Sequence, residues 1–265
     1  MLYFVATPIG NLKDVTFRAL DVLNSVDEIG CEDTRHSLGF LNAYQIKKPL
    51  FSYHKFNERQ SGEKIIEKLK SGKNIAIITD AGMPVISDPG NVLVNMLVEE
   101  GLDFTVIPGA CAFVSALVLA GLDSSKFCFL GFLPEKNSDR KAFLEKYKSL
   151  DLTLIFYSAP HDVKKDVDSI YAVFGERRAV AVKEITKIHE RAERFNLKDG
   201  LQSEPKGEYV ILVEGAKEDD EKLKLTEKEH IEYYLNQGMD KKEALKTVAK
   251  ERGVSKSSLY KYTIE

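Results

Sequence analysis

The 265-residue sequence lacks tryptophan and contains only three cysteines, Cys31, Cys111 and Cys128. These cysteines are odd in number and widely spaced, and they form no CxxC pair. This pattern argues against both a disulfide framework and a zinc site. We therefore expect no bound metal, and we interpret the three cysteines as reduced thiols of a cytoplasmic protein.

Long apolar runs and an excess of positive charge are also missing. No apolar run reaches the roughly 18 residues of a membrane-spanning helix, and the start, MLYFVATPIG, has no basic leader. We therefore predict neither a membrane anchor nor a targeting signal. The net charge is −3 and the pI about 6.0, so any RNA contact has to come from local basic patches. Hydrophobic residues make up 43% of the chain, which is enough for a buried core and, at this length, for two domains.

The most informative stretch is residues 79–91, TDAGMPVISDPGN, which follows the apolar run 75–78. A buried strand that opens into a wide, stiff loop is the structure that this pattern predicts. Asp80 and Asp88 can accept hydrogen bonds from hydroxyl or ammonium groups. In open α/β sheets, ligands bind at the carboxyl ends of the strands, so we expect a ligand here. The alternative is a plain strand-to-helix connection in which Asp88 caps a helix that starts near Gly90.

Other predicted strands of the first half also run into polar or small-residue loops. Strand 2–6 precedes loop 7–11, strand 28–31 precedes 32–36, and strand 104–107 precedes 108–112. The first of these loops has one glycine where a dinucleotide fingerprint needs three, which excludes a standard Rossmann site. Loop 32–36 has a second interpretation as a helix start capped by Asp33 or Thr34. The recurrence of such loops predicts one shared ligand crevice.

The second half repeats the alternation of strands and helices after a turn at residues 121–126. Strands are predicted at 127–134, 152–157, 179–182 and 207–213. A charged linker at 217–229 precedes helices at 231–235, 240–252 and 255–262. The basic helical segment is either an RNA-contacting appendage or a tail packed on the body. We thus predict domains at 1–121 and 122–216 and a third segment at 217–265.

Seven short motifs occur in order along the chain. They are TPIGNL at 7–12, EDTRHS at 32–37, DAGMPVISDPG at 80–90, PGACA at 108–112, GFLP at 131–134, KEITK at 183–187 and KGE at 206–208. With these motifs, the chain resembles the bacterial ribosomal RNA small-subunit methyltransferase I family, which has the tetrapyrrole-methylase fold. The resemblance covers essentially the whole chain, including the C-terminal SLYKY.

That resemblance implies an α/β protein with two α/β domains, a cofactor cleft between them and a short helical C-terminal segment. It implies S-adenosylmethionine as methyl donor and, as acceptor, the ribose 2′-hydroxyl of a cytidine near the decoding centre of 16S rRNA in the small ribosomal subunit. A homodimer is also implied. The residues expected to contact the donor are Pro8, Asp80, Ala81, Val85, Ile86, Asp88, Cys111, Ala112, Phe156 and Tyr157.

Transfer of a methyl group to a ribose hydroxyl needs alignment and a proton acceptor or a lysine that favours the alkoxide. The candidates for this catalytic role are Asp33 and Glu32 in the first half, and Lys183 and Glu184 in the second half. For contacts with RNA, the candidates are Arg35, His36 and Lys187. Two alternatives stay open: a tetrapyrrole or protein acceptor in the same fold, and a non-catalytic RNA-binding assembly factor.

The sequence departs from the family pattern at five positions. Met83, Ala110 and Lys183 stand where the family usually has threonine, proline and arginine. Ser158 and Asp162 replace a glutamate and an arginine. These departures leave the expected donor contacts unchanged, so they bear on the acceptor rather than on the donor.

Overall fold

The computed structural model describes residues 1–216 and 225–262, which divide into two compact units. Met1–Gly215 forms the first unit and Ala216–Glu265 the second. The first unit contains two five-stranded sheets with helices packed on them, so the chain is an α/β protein as the sequence predicts. Within the described ranges, no helix combines the length and apolar character that crossing a membrane requires.

The first sheet is entirely parallel. Its strands are β1 Leu2–Val5, β2 Glu28–Cys31, β3 Leu50–Ser52, β4 Ile75–Ile77 and β5 Phe104–Ile107, in the order β3-β2-β4-β1-β5. Because every neighbouring pair is parallel, all five carboxyl ends lie at one edge. The loops that the sequence analysis singled out therefore start side by side. Strand β3 was not predicted, since three residues are too short for a periodic signal.

Helices cover both faces of this sheet, as in doubly wound folds. They are α1 Phe17–Ser25, α2 Thr34–Ala43, α3 Glu58–Lys70 and α4 Asn91–Glu99. A fifth helix, α5 Ala112–Ala120, follows β5 and packs on the second sheet. Strand alternation sends Leu2 and Phe4 towards α3 and α4, while Val5 packs with α1 and α2. Helix α1 begins at Phe17, because Thr16 caps it by accepting a hydrogen bond from the Ala19 amide at 3.1 Å.

The second sheet is mixed. Its strands are β6 Phe127–Phe132, β7 Thr153–Ser158, β8 Arg178–Lys183, β9 Arg191–Asn196 and β10 Tyr209–Val213, in the order β6-β7-β10-β8-β9. Only β6 and β7 are parallel to each other. Strand β9, RAERFN, was not predicted, because its many charged residues hide the alternation of apolar and polar residues that indicates a strand. Helices α6 Asn137–Glu145 and α7 Val163–Phe174 pack on one face.

Helix α5 covers the opposite face of the second sheet. Its buried residues Ala116, Leu117 and Ala120 join a core with apolar side chains from β7, β8 and β10. This helix follows the last strand of the first sheet along the chain, so it connects the two halves through one hydrophobic core. The predicted boundary between residues 121 and 122 stays a prediction, while the packing makes residues 1–215 a single compact unit.

The second unit is helical. Its elements are α8 Glu227–Asn236, α9 Lys241–Arg252, α10 Lys256–Leu259 and a 3₁₀ turn, Tyr260–Tyr262. The linker predicted at 217–229 extends too far towards the C-terminus. Helix α8 already begins at Glu227, because Thr226 and Glu229 form a capping box there. Residues 217–224 of that linker lie outside the described residues. A small apolar core that includes Ile231, Leu245 and Leu259 holds the unit together.

A buried ion pair anchors the helices of the second sheet. Arg140 of α6 and Asp166 of α7 lie 3.1 Å apart, with side chains 3% and 5% exposed. The Arg140 Nε group also donates to the Pro134 carbonyl at 2.9 Å, and the Ser158 hydroxyl donates to Asp166 at 2.6 Å. These contacts connect β6, β7 and both helices through groups that are costly to bury alone.

Replacing the buried arginine by an apolar residue of similar length tests this anchor. We expect Arg140→Met to lower the free energy of unfolding by about 3 to 5 kcal/mol, because Asp166 stays buried without its cation. The matched control is Arg178→Met, which removes the exposed pair with Glu214 and should cost less than about 1 kcal/mol. Urea unfolding measures both, and equal losses would contradict the assignment.

Candidate active site

A cavity of about 390 Å³ opens at the carboxyl edge of the first sheet. Its walls come from both halves of the first unit, because the loops after β2, β4 and β5 meet residues of β6, β7, β8 and β10. The lining consists of Ile9, Glu32, Thr79, Asp80, Ala81, Gly82, Met83, Ile86, Ser87, Asp88, Cys111, Ala112, Phe132, Tyr157, Ser158, Ala159, Pro160, Val182, Ile185, Glu208, Tyr209 and Val210. The strands of the second sheet therefore form the wall opposite the loops of the first sheet.

The loop after β4 is held in place by hydrogen bonds to the loop after β1. Thr7 and Gly82 exchange two backbone hydrogen bonds, of 2.9 and 3.1 Å, and the Thr7 hydroxyl donates to the Thr79 carbonyl at 3.1 Å. Val85 and Ser87 have positive φ angles of 76° and 66°. Such strained backbone persists only where the surroundings enforce it, and it is common at ligand sites.

Helix α4 is capped by a residue far away in sequence. Glu58 of α3 accepts hydrogen bonds from the amides of Gly90 at 2.6 Å and Val92 at 3.2 Å. Gly90 has φ +146°, and a Cβ atom there would lie 2.5 Å from Val85, so only glycine fits. Asp88 makes no cap; it accepts a hydrogen bond from the Thr79 hydroxyl at 2.9 Å. The alternative interpretation of Asp88 as the helix cap is therefore wrong, and its carboxyl faces the cavity.

Four carboxyl groups line the cavity, from Glu32, Asp80, Asp88 and Glu208. Burial raises the pKa of Asp88 to about 6, and the neighbouring charges of Glu32 and Asp80 act in the same direction. Burial also raises the pKa of Glu32, with Asp80 adding to the shift and His54 opposing it. Burial raises the pKa of Tyr157 to about 12. The cavity wall is thus rich in hydrogen-bond acceptors and favours a ligand that carries donors or positive charge.

Comparison with known proteins adds the family. The Tetrapyrrole (Corrin/Porphyrin) Methylases family matches residues 1–200. The chain is 42% identical to "Ribosomal RNA small subunit methyltransferase I" of Bacillus subtilis over 98% of this chain and 92% of that protein. The protein of the same name from Escherichia coli O157:H7 is 41% identical over 100% and 94%. The chain belongs to the ribosomal RNA small-subunit methyltransferase I family.

Solved structures support the same fold. A diphthine synthase aligns with a TM-score of 0.63 at 16% identity, covering 81% of this chain and 89% of its own. A uroporphyrin-III-C-methyltransferase from Thermus thermophilus aligns with a TM-score of 0.55 at 19% identity, covering 80% and 93%. At such low identity the likeness concerns the fold alone, which is the tetrapyrrole-methylase fold that the motifs predict.

Most of the residues expected to contact the donor lie together. The cavity lining includes Asp80, Ala81, Ile86, Asp88, Cys111, Ala112 and Tyr157. Three other candidates lie elsewhere. Pro8 lines a smaller neighbouring pocket, and Val85 packs in the core with α3 and α4. Phe156 is fully buried on the α6 and α7 face of its sheet, because strand alternation allows only one of Phe156 and Tyr157 to point into the cavity.

The catalytic candidates separate into two groups. Glu32 lines the cavity, whereas Asp33 caps α2 by accepting from the Arg35 amide at 2.8 Å and lies outside the lining. Its exposed carboxylate also pairs with the Arg35 side chain, and these contacts lower its pKa. Both roles proposed for loop 32–36, helix cap and cavity wall, are thus present, on adjacent residues. Lys183 ends β8 and lies outside the cavity lining.

Glu184 belongs to an ion-pair cluster with Lys187 and Glu208. The Lys187 ammonium group lies 2.9 Å from both carboxylates, and Glu184 also accepts from the Glu208 amide at 3.0 Å. These contacts lower the pKa of Glu184 although burial opposes the change. The Lys187 stem lies against Gly10, where a Cβ atom would approach it to 2.5 Å at φ +149°. The cluster therefore ties the KEITK loop to the loop after β1, with Glu208 in the cavity wall.

Several lining residues were not among the site residues predicted from the sequence. Ile9, Phe132, Val182, Ile185, Glu208, Tyr209 and Val210 belong to this group. Most lie within or next to the TPIGNL, GFLP, KEITK and KGE motifs, and these motifs were the signal that could have found them. Within residues 1–216 and 225–262, no three His, Cys, Asp or Glu side chains are arranged to hold a metal ion.

The departures from the family pattern have different surroundings. Met83 and Ser158 line the cavity, and Ser158 also supports the buried pair through its bond to Asp166. Asp162 pairs with His161 at 3.1 Å, next to the start of α7. Ala110 is packed in the core around α5. Two of the five departures thus change the cavity wall itself.

The raised pKa of Asp88 predicts a pH-dependent effect of its replacement. The unfolded chain ionises Asp88 from about pH 4, while the folded chain holds the proton until about pH 6. The stability that this group contributes below pH 4 is therefore lost as the pH rises through 6. Asp88→Asn keeps an acceptor for Thr79 and should be more stable than the parent by about 1 kcal/mol at pH 7.5, since a half-buried carboxyl is partly screened by water.

Thermal unfolding of both proteins from pH 4 to pH 8 measures this effect. The difference in stability should vanish near pH 4 and grow towards pH 7.5. Asp21→Asn, at an exposed position on α1, is the matched control and should show no such trend. Parallel pH profiles for Asp88→Asn and the parent would contradict the assignment.

Proposed function

We propose that this chain transfers a methyl group from S-adenosylmethionine to the ribose 2′-hydroxyl of a cytidine in 16S rRNA near the decoding centre. The observation that carries the proposal is a single cavity, walled by both halves, that collects seven of the expected donor contacts. Family membership adds the acceptor class, because the relatives are named for methylation of small-subunit ribosomal RNA.

The residues present suit such a donor. A cavity of about 390 Å³ lies within the range of about 300 to 1,000 Å³ for sites that bind small molecules. When bound, S-adenosylmethionine supplies an electrophilic methyl group on a positively charged sulfur. Asp80 and Asp88 would accept hydrogen bonds from its hydroxyl or ammonium groups, and Ile86, Ala112 and Tyr157 would provide the apolar contacts. The carboxylates of Glu32, Asp80 and Asp88 in the lining favour a cationic ligand over an anionic one.

Among the catalytic candidates, Glu32 suits the role of general base best. Its carboxylate lines the cavity, and its raised pKa brings it closer to neutral pH, where a base accepts a proton most effectively. In the proposed reaction, a carboxylate oxygen of Glu32 would take the proton of the ribose 2′-hydroxyl while the 2′-oxygen forms its bond to the methyl carbon and the carbon–sulfur bond breaks, leaving S-adenosylhomocysteine. Asp33 and Glu184 are less suited, because hydrogen bonds stabilise their charged forms.

The RNA candidates have different roles in this proposal. The Arg35 side chain is 90% exposed at the start of α2 and is available to a phosphate group. Lys187 is already neutralised by two carboxylates, so its role is to join the two loops rather than to bind phosphate. The homodimer stays a prediction, for which the exposed apolar residues Val106, Val114 and Val118 offer a surface. Light scattering of the purified chain would test it.

Methyl transfer to assembled subunits tests the proposed function directly. Purified protein is incubated with radiolabelled S-adenosylmethionine and small ribosomal subunits from cells that lack the homologous enzyme, and the label is mapped by nuclease digestion. We expect label on one cytidine ribose. Subunits from cells that contain the enzyme are the control and should accept no label. Tight donor binding without label on the subunit would contradict the acceptor and favour a small-molecule or protein acceptor.

The role of Glu32 is tested by a pair of neighbouring variants. Glu32→Gln should lower the rate of methyl transfer by about 10²- to 10⁴-fold, the usual contribution of a general base. Asp33→Asn keeps a capping oxygen on α2 and should lower the rate by less than about 10-fold, which corresponds to about 1.4 kcal/mol. Single-turnover rates, with donor affinity from calorimetry, separate chemistry from binding. Comparable losses in both variants would remove Glu32 from this role.

A further inference from the structure

A second, smaller pocket of about 160 Å³ lies beside the main cavity. Thr79 and Asp80 line both spaces and form the wall between them. The other lining residues come from the loop after β1 and from α2, together with the end of β4; they are Thr7, Pro8, Gly10, Leu12, His36, Ser37, Phe40 and Ile78. Of the expected donor contacts, only Pro8 and Asp80 line this pocket, and Asp80 also lines the main cavity.

The pocket is preformed by hydrogen bonds within its walls. The Thr7 and Gly82 backbone pair fixes the loop after β1, and the hydroxyl of Tyr44, the residue that follows α2, donates to the Leu12 carbonyl. The Asn11 side chain accepts from the Lys13 amide at 3.1 Å, which caps the short 3₁₀ turn Leu12–Asp14. A ligand binds more tightly to a preformed site, because no binding free energy is spent on ordering loops and side chains.

The interior of the pocket combines apolar walls with a buried hydroxyl group. The lining residues Pro8 and Ile78 are buried, and the lining residue Phe40 is partly buried. Ser37 is only 2% exposed, and its hydroxyl makes no hydrogen bond of good geometry within the described residues. It lies beside the thiol of Cys31, which is a weak partner. Buried polar groups usually have partners, so this hydroxyl indicates a ligand that supplies one.

The volume limits the size of that ligand. A dry cavity of about 150 Å³ engineered in another protein binds benzene. The present pocket, of about 160 Å³, therefore has room for one six-membered ring and too little for a fused purine. Aromatic and imidazole side chains at its wall, Phe40 and His36, are suited to stacking on a flat ring.

We propose that this pocket binds the pyrimidine base of the acceptor nucleotide, flipped out of its RNA strand. The inference rests on the proposed function and names the subsite that selects the base. With the base between Phe40 and His36, the ribose would lie at the Thr79 and Asp80 wall, facing the main cavity. Ser37 would hydrogen bond to a polar edge of the base. Enzymes that act on a nucleotide commonly extract it from its stack and read it in this way.

Loss of the stacking contact tests the pocket. We expect His36→Ala and Phe40→Ala each to lower kcat/KM for the small ribosomal subunit by about 5- to 150-fold, the usual range for stacking on one base. Their affinity for S-adenosylmethionine, measured by calorimetry, should stay within twofold. Leu38→Ala is the matched control, since Leu38 is exposed on the same helix but does not line the pocket. Phe40 also packs against the core, so Phe40→Ala can lower activity by destabilising the fold. His36 is exposed, so His36→Ala tests the pocket without that effect.

Replacing the base of the target nucleotide gives a second test. Its result would not change if the pocket residues served only to stabilise the fold. Subunits are prepared with the target cytidine replaced by uridine or by adenosine. The parent enzyme should methylate the uridine subunit measurably and the adenosine subunit at least 10-fold less. In Ser37→Ala, the ratio of cytidine to uridine methylation should shift, because the edge contact is lost.

The outcomes separate this inference from the proposed function. If the parent enzyme labels no subunit, the proposed function fails. If the parent labels its cytidine but His36→Ala and Phe40→Ala keep full kcat/KM, the base pocket alone is overturned. Equal methylation of adenosine and cytidine subunits would also overturn it, since a pocket for one ring cannot accept both.

Discussion

Two backbone hydrogen bonds between Thr7 and Gly82 are the contact on which both cavities depend. They join the loop after β1 to the loop after β4, although 75 residues separate the two positions. The pair fixes Thr79 and Asp80 as a wall with the larger cavity on one side and the smaller pocket on the other. The Thr7 hydroxyl reinforces the pair by donating to the Thr79 carbonyl at 3.1 Å.

The second constraint is the position of α5. This helix leaves the first sheet but packs its small residues on the second, so one apolar core fixes the distance between the loops and the opposing strands. Contacts across that gap reinforce it, as Lys187 packs on Gly10 and pairs with Glu184 and Glu208. A reaction that depends on alignment of two substrates benefits from such rigidity, since misplacement by about 1 Å can cost a factor of about 100 in rate.

The cavity also shows how one environment gives neighbouring carboxyls different chemistry. Glu32 and Asp33 are adjacent in sequence, yet burial raises the pKa of the first while amide hydrogen bonds lower that of the second. This difference is why we propose Glu32 as the base, whereas Asp33 caps α2. Glu58, from another helix, caps α4, so the Asp88 carboxyl is not needed as a cap and lines the cavity instead. Family membership indicates the reaction class, whereas these local contacts distinguish the residues within it.

The sequence by itself determined the α/β alternation, the family and the strand-end loops, because these depend on local periodicity and on motifs within one segment. It missed β3 and β9, where shortness or charge hides the period. Only the tertiary structure decided that Tyr157 faces the cavity while Phe156 faces the core, and that Glu58 caps α4. Those outcomes depend on which surfaces meet across the chain, and contacts between distant segments leave no periodic signal in either one. The smaller pocket is of the same kind, since its walls come from two separate loops and a helix.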